Sequence, residues 1–345
     1  MIAPADIPRP ERVLIIKPSA LGDVVTALPV LRGLRREFPE AQIDWLANPS
    51  CAPLVDQDEQ LSHAVLFDRR RFGRMVYDPA AAAAFVRFCR QLRRTRYDWA
   101  IDLQGLFRSG FLAAVTRAPV RAGFATAREF AGLFYNHALP ADRTPVHTVD
   151  RNIALARHLG VDARPEDYRL SVPAAARKWA KDFVENRGES VIVVAPATRW
   201  VTKLYPARHW RVVIEHLSRR APVVLVAGPG EEHLTAPLTG GENVIDLTGR
   251  TTVAQLVGLI AEARLLVCCD SAAMNIAGAV ATPQVVLTGP TDPARTGPYG
   301  DQASIVQTSL PCRGCLKRKC RHISCMQTID PAEVVAAAEQ RLSLI

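Results

Sequence analysis

At 345 residues the chain exceeds what one core usually supports, and at roughly 100–200 residues per domain two domains are expected. Its apolar share of 48% is that of a globular protein, and no apolar run approaches the ~20 residues of a membrane span. The formal charge of +9 is carried almost wholly by arginine, since lysine occurs only at 17, 178, 181, 203, 317 and 319; it suits phosphate-bearing partners, and with no nucleic-acid module present, no nucleic acid is expected among them.

The start, "MIAPADIPRPER", has prolines and acids where a signal peptide needs a basic end and an apolar stretch, so a cytoplasmic chain is expected. "RVLIIK" (12–17) reads as a buried parallel strand, "ALPVLRGLRREFP" as a helix and "QIDWLAN" (42–48) as the next strand, which together make a βαβ unit. "HAVLFD" (63–68), an alanine-rich helix over 79–95, "DWAIDLQ" (98–104), a further helix and "VRAGF" (120–124) continue it. The densest basic clusters, "RRRFGR" (69–74) and "RFCRQLRRTR" (87–96), lie in this half; most such arginines need be no more than a solvated surface.

The polar, proline-containing stretch 160–176 is the expected linker. A second series follows: strands at 190–197, 223–228, 243–249, 265–270 and 284–289, with helices at 206–220, 252–263 and from about 273. The architecture is α/β, one doubly wound domain repeated, with domains at 1–168 and 169–345 and the final helix packing back toward the first. Two such domains facing one another make a cleft, the usual place for a ligand.

Four cysteines, Cys312, Cys315, Cys320 and Cys325, sit together in "CRGCLKRKCRHISC". Four thiols are the right number for a structural zinc site. The spacing is not that of a standard finger, and a knot of reduced thiols on an irregular loop is the reading adopted, with no metal and no cofactor expected.

In "KPSALGDVVTALPVL" (17–31) the first strand runs through a turn into a helix that begins near Asp23. An acid there suits the helix dipole, and it also suits a general base at the carboxyl end of a strand. Other ordered motifs are "IDLQGLFRSG" (101–110), "AREFAGLFYN" (127–136), "HTVDRN" (147–152), "APATRWVTKLYP" (195–206), "AGPGEEH" (227–233) and "CDSAAMNIAGA" (269–279). Through most of its length the chain thereby resembles the lipopolysaccharide heptosyltransferases of glycosyltransferase family 9. "QGLFRS" and "AREFAGLFYN" are similar to heptosyltransferase I, and the cysteine-rich tail to the type II and general members.

The resemblance implies a GT-B fold of two facing Rossmann-like domains, an acceptor-binding first domain and a nucleotide-sugar-binding second. It implies inverting transfer of heptose from ADP-heptose to a Kdo-lipid A acceptor, with possible contact to the inner face of the inner membrane. Asp23 is then the catalytic base, with Ser19 and Gly22 in the same acceptor-side turn. Lys203 and Thr198 meet the diphosphate, Glu231 the ribose (Glu232 is its neighbour and competitor), and the Thr248 backbone the base. Asp270 meets the donor sugar, and the Ser271, Ala272 and Ala273 amides the diphosphate. Gln104, Arg108 and Arg128 fall on the acceptor side, where arginine pairs with carboxylate and phosphate alike, while His147 and Arg151 brace that face.

The family pattern D-[ST]-G-x-x-H is broken by Ala272, strained if its φ were positive, and by Asn275 in place of histidine. These departures leave open another donor, a non-lipid acceptor, or a relative that binds sugar nucleotide without transfer. A Rossmann oxidoreductase is disfavoured, because no G-x-G-x-x-G follows the first strand.

Overall fold

The computed structural model describes residues 7–188 and 190–344; the first six residues, part of the stretch read for export, lie outside them. The chain divides into two compact units, Met1–Tyr168 and Arg169–Ile345. In the first, the elements in order are β1 (Arg12–Ile16), α1 (Leu21–Val25), α2 (Leu28–Glu37), β2 (Gln42–Ala47), β3 (His63–Leu66), α3 (Arg69–Phe72), α4 (Pro79–Arg94), β4 (Trp99–Asp102), α5 (Phe107–Thr116), β5 (Val120–Phe124), β6 (His137–Leu139) and α6 (Thr148–His158). The sheet order is β3-β2-β1-β4-β5-β6, parallel throughout.

The second unit holds α7 (Ala174–Glu185), β7 (Ile192–Ala195), α8 (Ala207–Ser218), β8 (Val223–Leu225), α9 (Glu232–Thr235), β9 (Val244–Asp246), α10 (Val253–Glu262), β10 (Leu265–Cys269), α11 (Ala272–Ala279), β11 (Gln284–Thr288), α12 (Pro293–Thr296), β12 (Ala303–Gln307), α13 (Ser324–Gln327) and α14 (Pro331–Ser343). Its sheet, β12-β11-β10-β7-β8-β9, repeats the first order. In both units the order reverses between the first and fourth strands, at β1/β4 and β7/β10. Ligands of open parallel sheets bind outside the carboxyl ends of the strands at that reversal.

The apolar runs explain the sheets. β4, β7, β10 and β11 are buried at every residue, as strands covered on both faces must be. Leu14, Ile16, Leu46, Phe88 and Leu92 centre the first core, and Ile192, Val194, Trp210, Val267 and Leu287 the second. α14 adds Val334, Ala338 and Leu342 to that second core, so the last helix packs on its own unit's sheet.

Where the sequence predicts one helix after β1 there are two, because Pro29 sits in the first turn of α2 and α1 ends at Val25. The strands stop short of their predicted carboxyl ends where a side chain bends the chain into a turn: Asp102 Oδ1 accepts from Gln104 N at 2.8 Å, and Asp246 Oδ1 from Thr248 N at 2.9 Å. The edge strands β6 and β12 were not read from the sequence; the one is three residues long and the other mostly half-buried. Among the described residues no helix is long and apolar enough to cross a membrane.

Candidate active site

In the first unit the site-bearing turns are those after β1 and β4. Asp23 is the third residue of α1, half-buried, and its Oδ2 accepts from Ala20 N at 2.9 Å. That bond satisfies one amide donor at the helix start and fixes the carboxylate's direction. Oδ1 has no hydrogen-bond partner among the described residues, so one oxygen positions the group and the other stays available to a proton. Gly22 is buried beside it and Ser19 half-buried in the same turn.

Lys17, at the end of β1, is a functional candidate the sequence reading passed over. It is 5% exposed, and Nζ donates to Leu103 O at 2.8 Å. Burial pushes its ammonium below the usual lysine range, Asp23 and Asp102 pull it back up, and Arg151 and Arg128 add to the depression. The lysine therefore ties the Asp23 turn to the Gln104 turn both electrostatically and by a hydrogen bond.

Asp102 anchors the second turn. It is fully buried; Oδ1 accepts from Gln104 N and Gly105 N at 2.8 and 3.1 Å, and Oδ2 from the Tyr135 hydroxyl at 2.6 Å. Burial pushes the Asp102 carboxyl up, and Tyr135, Ser109 and the two amides work against it. A carboxyl whose folded-state value is raised favours the fold most below its unfolded pKa and loses that advantage as pH rises through the folded one. Tyr135→Phe removes a donor to the charged form and raises that value further. It is expected to cost about 1.5–3 kcal/mol at neutral pH, a deficit that shrinks as acid protonates Asp102, checked by melting curves across pH.

Gly123 on β5 is what lets Tyr135 reach Asp102. A Cβ at Gly123 would lie 2.3 Å from Tyr135 Cε2 and 2.5 Å from Cζ. Gly123→Ala must displace the ring and its hydroxyl together, and a loss of about 1–3 kcal/mol is expected in denaturant titrations.

Of the acceptor-side candidates, Gln104 has a buried Oε1 with no hydrogen-bond partner among the described residues. Arg108, in the first turn of α5, and Arg128 are exposed, and neither forms an ion pair among the described residues. The three stand on tied loops: Arg128 N donates to Gly105 O at 3.0 Å, and Phe107 N to Glu129 Oε2 at 3.3 Å. His147 caps α6 through Nδ1, and Arg151 lies over the Phe124 ring at 4.8 Å.

In the second unit the reversal point carries Lys203 and Asp270. β7 ends at Ala195, and the following loop closes in a 3-10 turn, Val201–Lys203. Lys203 Nζ donates to Asp270 Oδ2 at 2.9 Å, with both side chains largely buried. An ammonium has three donors, so this pair leaves two for a ligand. Thr198 Oγ1 donates to Trp200 O at 2.8 Å, shaping the loop.

Asp270 follows β10 directly, and α11 opens two residues later. Its N-cap, Ser271, makes no side-chain cap, so the first amides of the helix, those of Ala272 and Ala273 among them, keep their donors. Ala272 has helical backbone and is absent from the residues with positive φ, which removes the strain a methyl would have brought. Asn275 Nδ2 donates weakly, at 3.4 Å, to Ser271 O one turn back. Burial pushes the Cys269 thiol up to about 12, so the cysteine behind Asp270 is inert.

Glu231 and Glu232 both serve the "GPGEE" loop. Glu231 Oε2 accepts from Gly228 N at 2.7 Å and Glu232 Oε1 from Gly230 N at 3.1 Å; the former is half-buried, the latter exposed. Thr248 is buried, and its hydroxyl donates to Thr235 Oγ1 at 2.9 Å, which leaves backbone as its means of meeting a ligand.

Cys312 and Cys315 are exposed, Cys320 half-buried and Cys325 buried, all as free thiols. Among the described residues no three His, Cys, Asp or Glu side chains gather as metal ligands. Their loop braces the lysine turn: Thr202 Oγ1 donates to Lys317 O at 2.9 Å, and the Trp200 ring lies 4.5 Å from Lys203 Nζ and 4.7 Å from Arg318 Cζ. Trp200 and Arg318 gave no signal in the sequence, being far apart along it.

Residues 85–325 match glycosyltransferase family 9 (heptosyltransferase). Lipopolysaccharide heptosyltransferase 1 of Pseudomonas aeruginosa is 30% identical over 321 residues, 90% of this chain and 88% of that protein. A family 9 glycosyl transferase from Veillonella parvula shares the fold at a TM-score of 0.79 and 21% identity, over 97% of this chain and 98% of its own. Escherichia coli heptosyltransferase WaaC, solved with ADP and with ADP-2-deoxy-2-fluoro heptose, is 26% identical over 96% of this chain and 99% of its own, with TM-scores of 0.77 and 0.73. Two parallel six-stranded sheets with their site turns at the strand-order reversals, and a family match across most of the length, place this chain in glycosyltransferase family 9 as a glycosyltransferase of GT-B fold.

Proposed function

We propose that the chain is an inverting glycosyltransferase that moves L-glycero-D-manno-heptose from ADP-heptose to a Kdo-lipid A acceptor in lipopolysaccharide core assembly. The observation that carries this reading is the Lys203–Asp270 pair beside the uncapped start of α11. A cation with donors to spare next to free helix amides suits a diphosphate, and a carboxylate held on that cation suits the hydroxyls of the attached sugar. The relative solved with ADP and a fluorinated ADP-heptose supports this choice of donor.

In the proposed step an acceptor hydroxyl attacks the anomeric carbon as Asp23 removes its proton. The bond to the diphosphate oxygen breaks, and ADP leaves with the electron pair, its charge met by Lys203, Thr198 and the amides of Ser271, Ala272 and Ala273. Asp270 and Glu231 orient sugar and ribose, and the Thr248 backbone meets the base. Gln104, Arg108 and Arg128 hold the anionic acceptor. Inversion needs one base and no carboxylate nucleophile.

Asn275, a histidine in the family pattern, favours a second reading within the same chemistry, a different donor sugar. A panel of ADP-heptose, ADP-mannose, UDP- and GDP-sugars against Kdo-lipid A separates the two. Transfer from ADP-heptose far above the others is expected; transfer only from a non-heptose donor would overturn the donor assignment, and tight ADP-heptose binding without turnover would mark an inactive relative.

A further inference from the structure

The cysteine-rich stretch between β12 and α13 lies across the carboxyl ends of the second sheet. On one side Gly314 N donates to Gly289 O at 2.9 Å and Leu316 N to Pro290 O at 2.7 Å, both acceptors standing just past β11. One residue on, Lys317 O accepts from Thr202 Oγ1 at 2.9 Å, in the turn that follows β7. In the sheet β10 lies between β11 and β7, so the chain here passes over the end of the strand that delivers Asp270 and the start of α11. The far end of the stretch is anchored beside β11 as well: a Cβ at Gly289 would lie 3.0 Å from Cys325 Sγ and 2.6 Å from Met326 Sδ, and both of those residues are buried.

Arg318 is the first residue beyond that crossing. Its Cζ stands 4.7 Å from the Trp200 ring centroid, and Lys203 Nζ stands 4.5 Å from the same centroid. Trp200 is fixed to the lysine turn, since its carbonyl accepts from Thr198 Oγ1 at 2.8 Å and from Lys203 N at 2.9 Å. The two cations are therefore at most about 9 Å apart, the two ring distances taken together, and charge-assisted hydrogen bonds of about 2.8 Å from each leave a gap one or two phosphoryl groups wide. Lys203 spends one donor on Asp270, whereas Arg318 is exposed and makes no ion pair or hydrogen bond among the described residues. A diphosphate carries more negative charge than a lysine already shared with a carboxylate can match, and a planar guanidinium resting on an aromatic ring suits phosphate oxygens.

We propose that Arg318 is a second cation of the diphosphate site, held ready for the ligand by Trp200. This rests on the reading of Lys203 and the start of α11 as that site, and no part of it depends on the sugar or the acceptor. The cysteine-rich loop is then a wall of the donor site, supplying it with a charged residue.

The test is calorimetric titration of the full chain with ADP, with adenosine measured by displacement of ADP. Arg318→Gln keeps a flat polar head for the Trp200 ring but no charge, and it is expected to weaken ADP at least about tenfold while adenosine binds as to wild type. Arg318→Lys should recover part of that loss. Lys319→Gln, which removes the neighbouring exposed cation, should leave ADP affinity within about twofold of wild type. Wild-type ADP affinity in Arg318→Gln, with Lys203→Ala weakened, would overturn this proposal alone; wild-type affinity in both would overturn the diphosphate site with it. Equal losses for ADP and adenosine would reduce Arg318 to a brace of the loop, and an equal loss with Lys319→Gln would put the effect in the loop's general field; either result overturns the proposal.

Discussion

Asp23→Asn is expected to lower kcat about 100- to 10,000-fold, the range for losing a positioned general base, with the donor KM little changed. The amide oxygen of asparagine can still accept from Ala20 N, as Asp23 Oδ2 does at 2.9 Å, so the turn between β1 and α1 survives. The cost in stability should stay below about 1 kcal/mol. Asp23→Ala removes base and cap together and should lose both activity and stability. Single-turnover rates with matched thermal melts check the contrast. Equal turnover by wild type and Asp23→Asn would leave Asp23 as a cap alone.

Lys203→Ala is expected to act on the departing diphosphate of the proposed reaction. Removing one preorganised donor from developing charge is worth about 100- to 1,000-fold in rate, and that loss is expected in kcat/KM. It also leaves Asp270, 8% exposed, without its cation, which costs stability because an uncompensated buried carboxylate is penalised. The double variant Lys203→Ala with Asp270→Asn separates the two effects: stability should return toward wild type, activity should not. Recovery of both would mean that the lysine serves only the ion pair. Lys203→Arg places a larger head where a compact ammonium now sits 2.9 Å from Asp270 and 4.5 Å from the Trp200 ring, and partial rescue at most is expected.

Much of this was legible along the chain. "RVLIIK", "LLVCC" and "QVVLT" announce buried parallel strands because covering both faces leaves no polar alternation, and the small and acidic residues after them mark the turns proposed as the ligand sites. Lys203 and Asp270 stand in separate motifs that the family pattern already tied to one donor, and the fold brings them to 2.9 Å. What escaped reading depends on side chains that meet only in three dimensions. Tyr135 closes on Asp102 through space that Gly123 leaves empty, and Arg318 reaches Trp200 from the cysteine-rich loop. Lys17 was in plain view within "KPSALGD", but its meaning lies in burial, which sequence position alone does not show. The edge strands β6 and β12 failed for the opposite reason, since short, half-covered strands carry little apolar signal.

The proposed reaction transfers a heptose to a Kdo-bearing acceptor with a base on the first unit and a diphosphate site on the second. Mass spectrometry of Kdo-lipid A after incubation with ADP-heptose tests it most directly. The expected result is an acceptor heavier by one heptose, with one ADP released per product, and no such gain with Asp23→Asn. An unchanged acceptor with the wild type, or the same gain with both proteins, would contradict it.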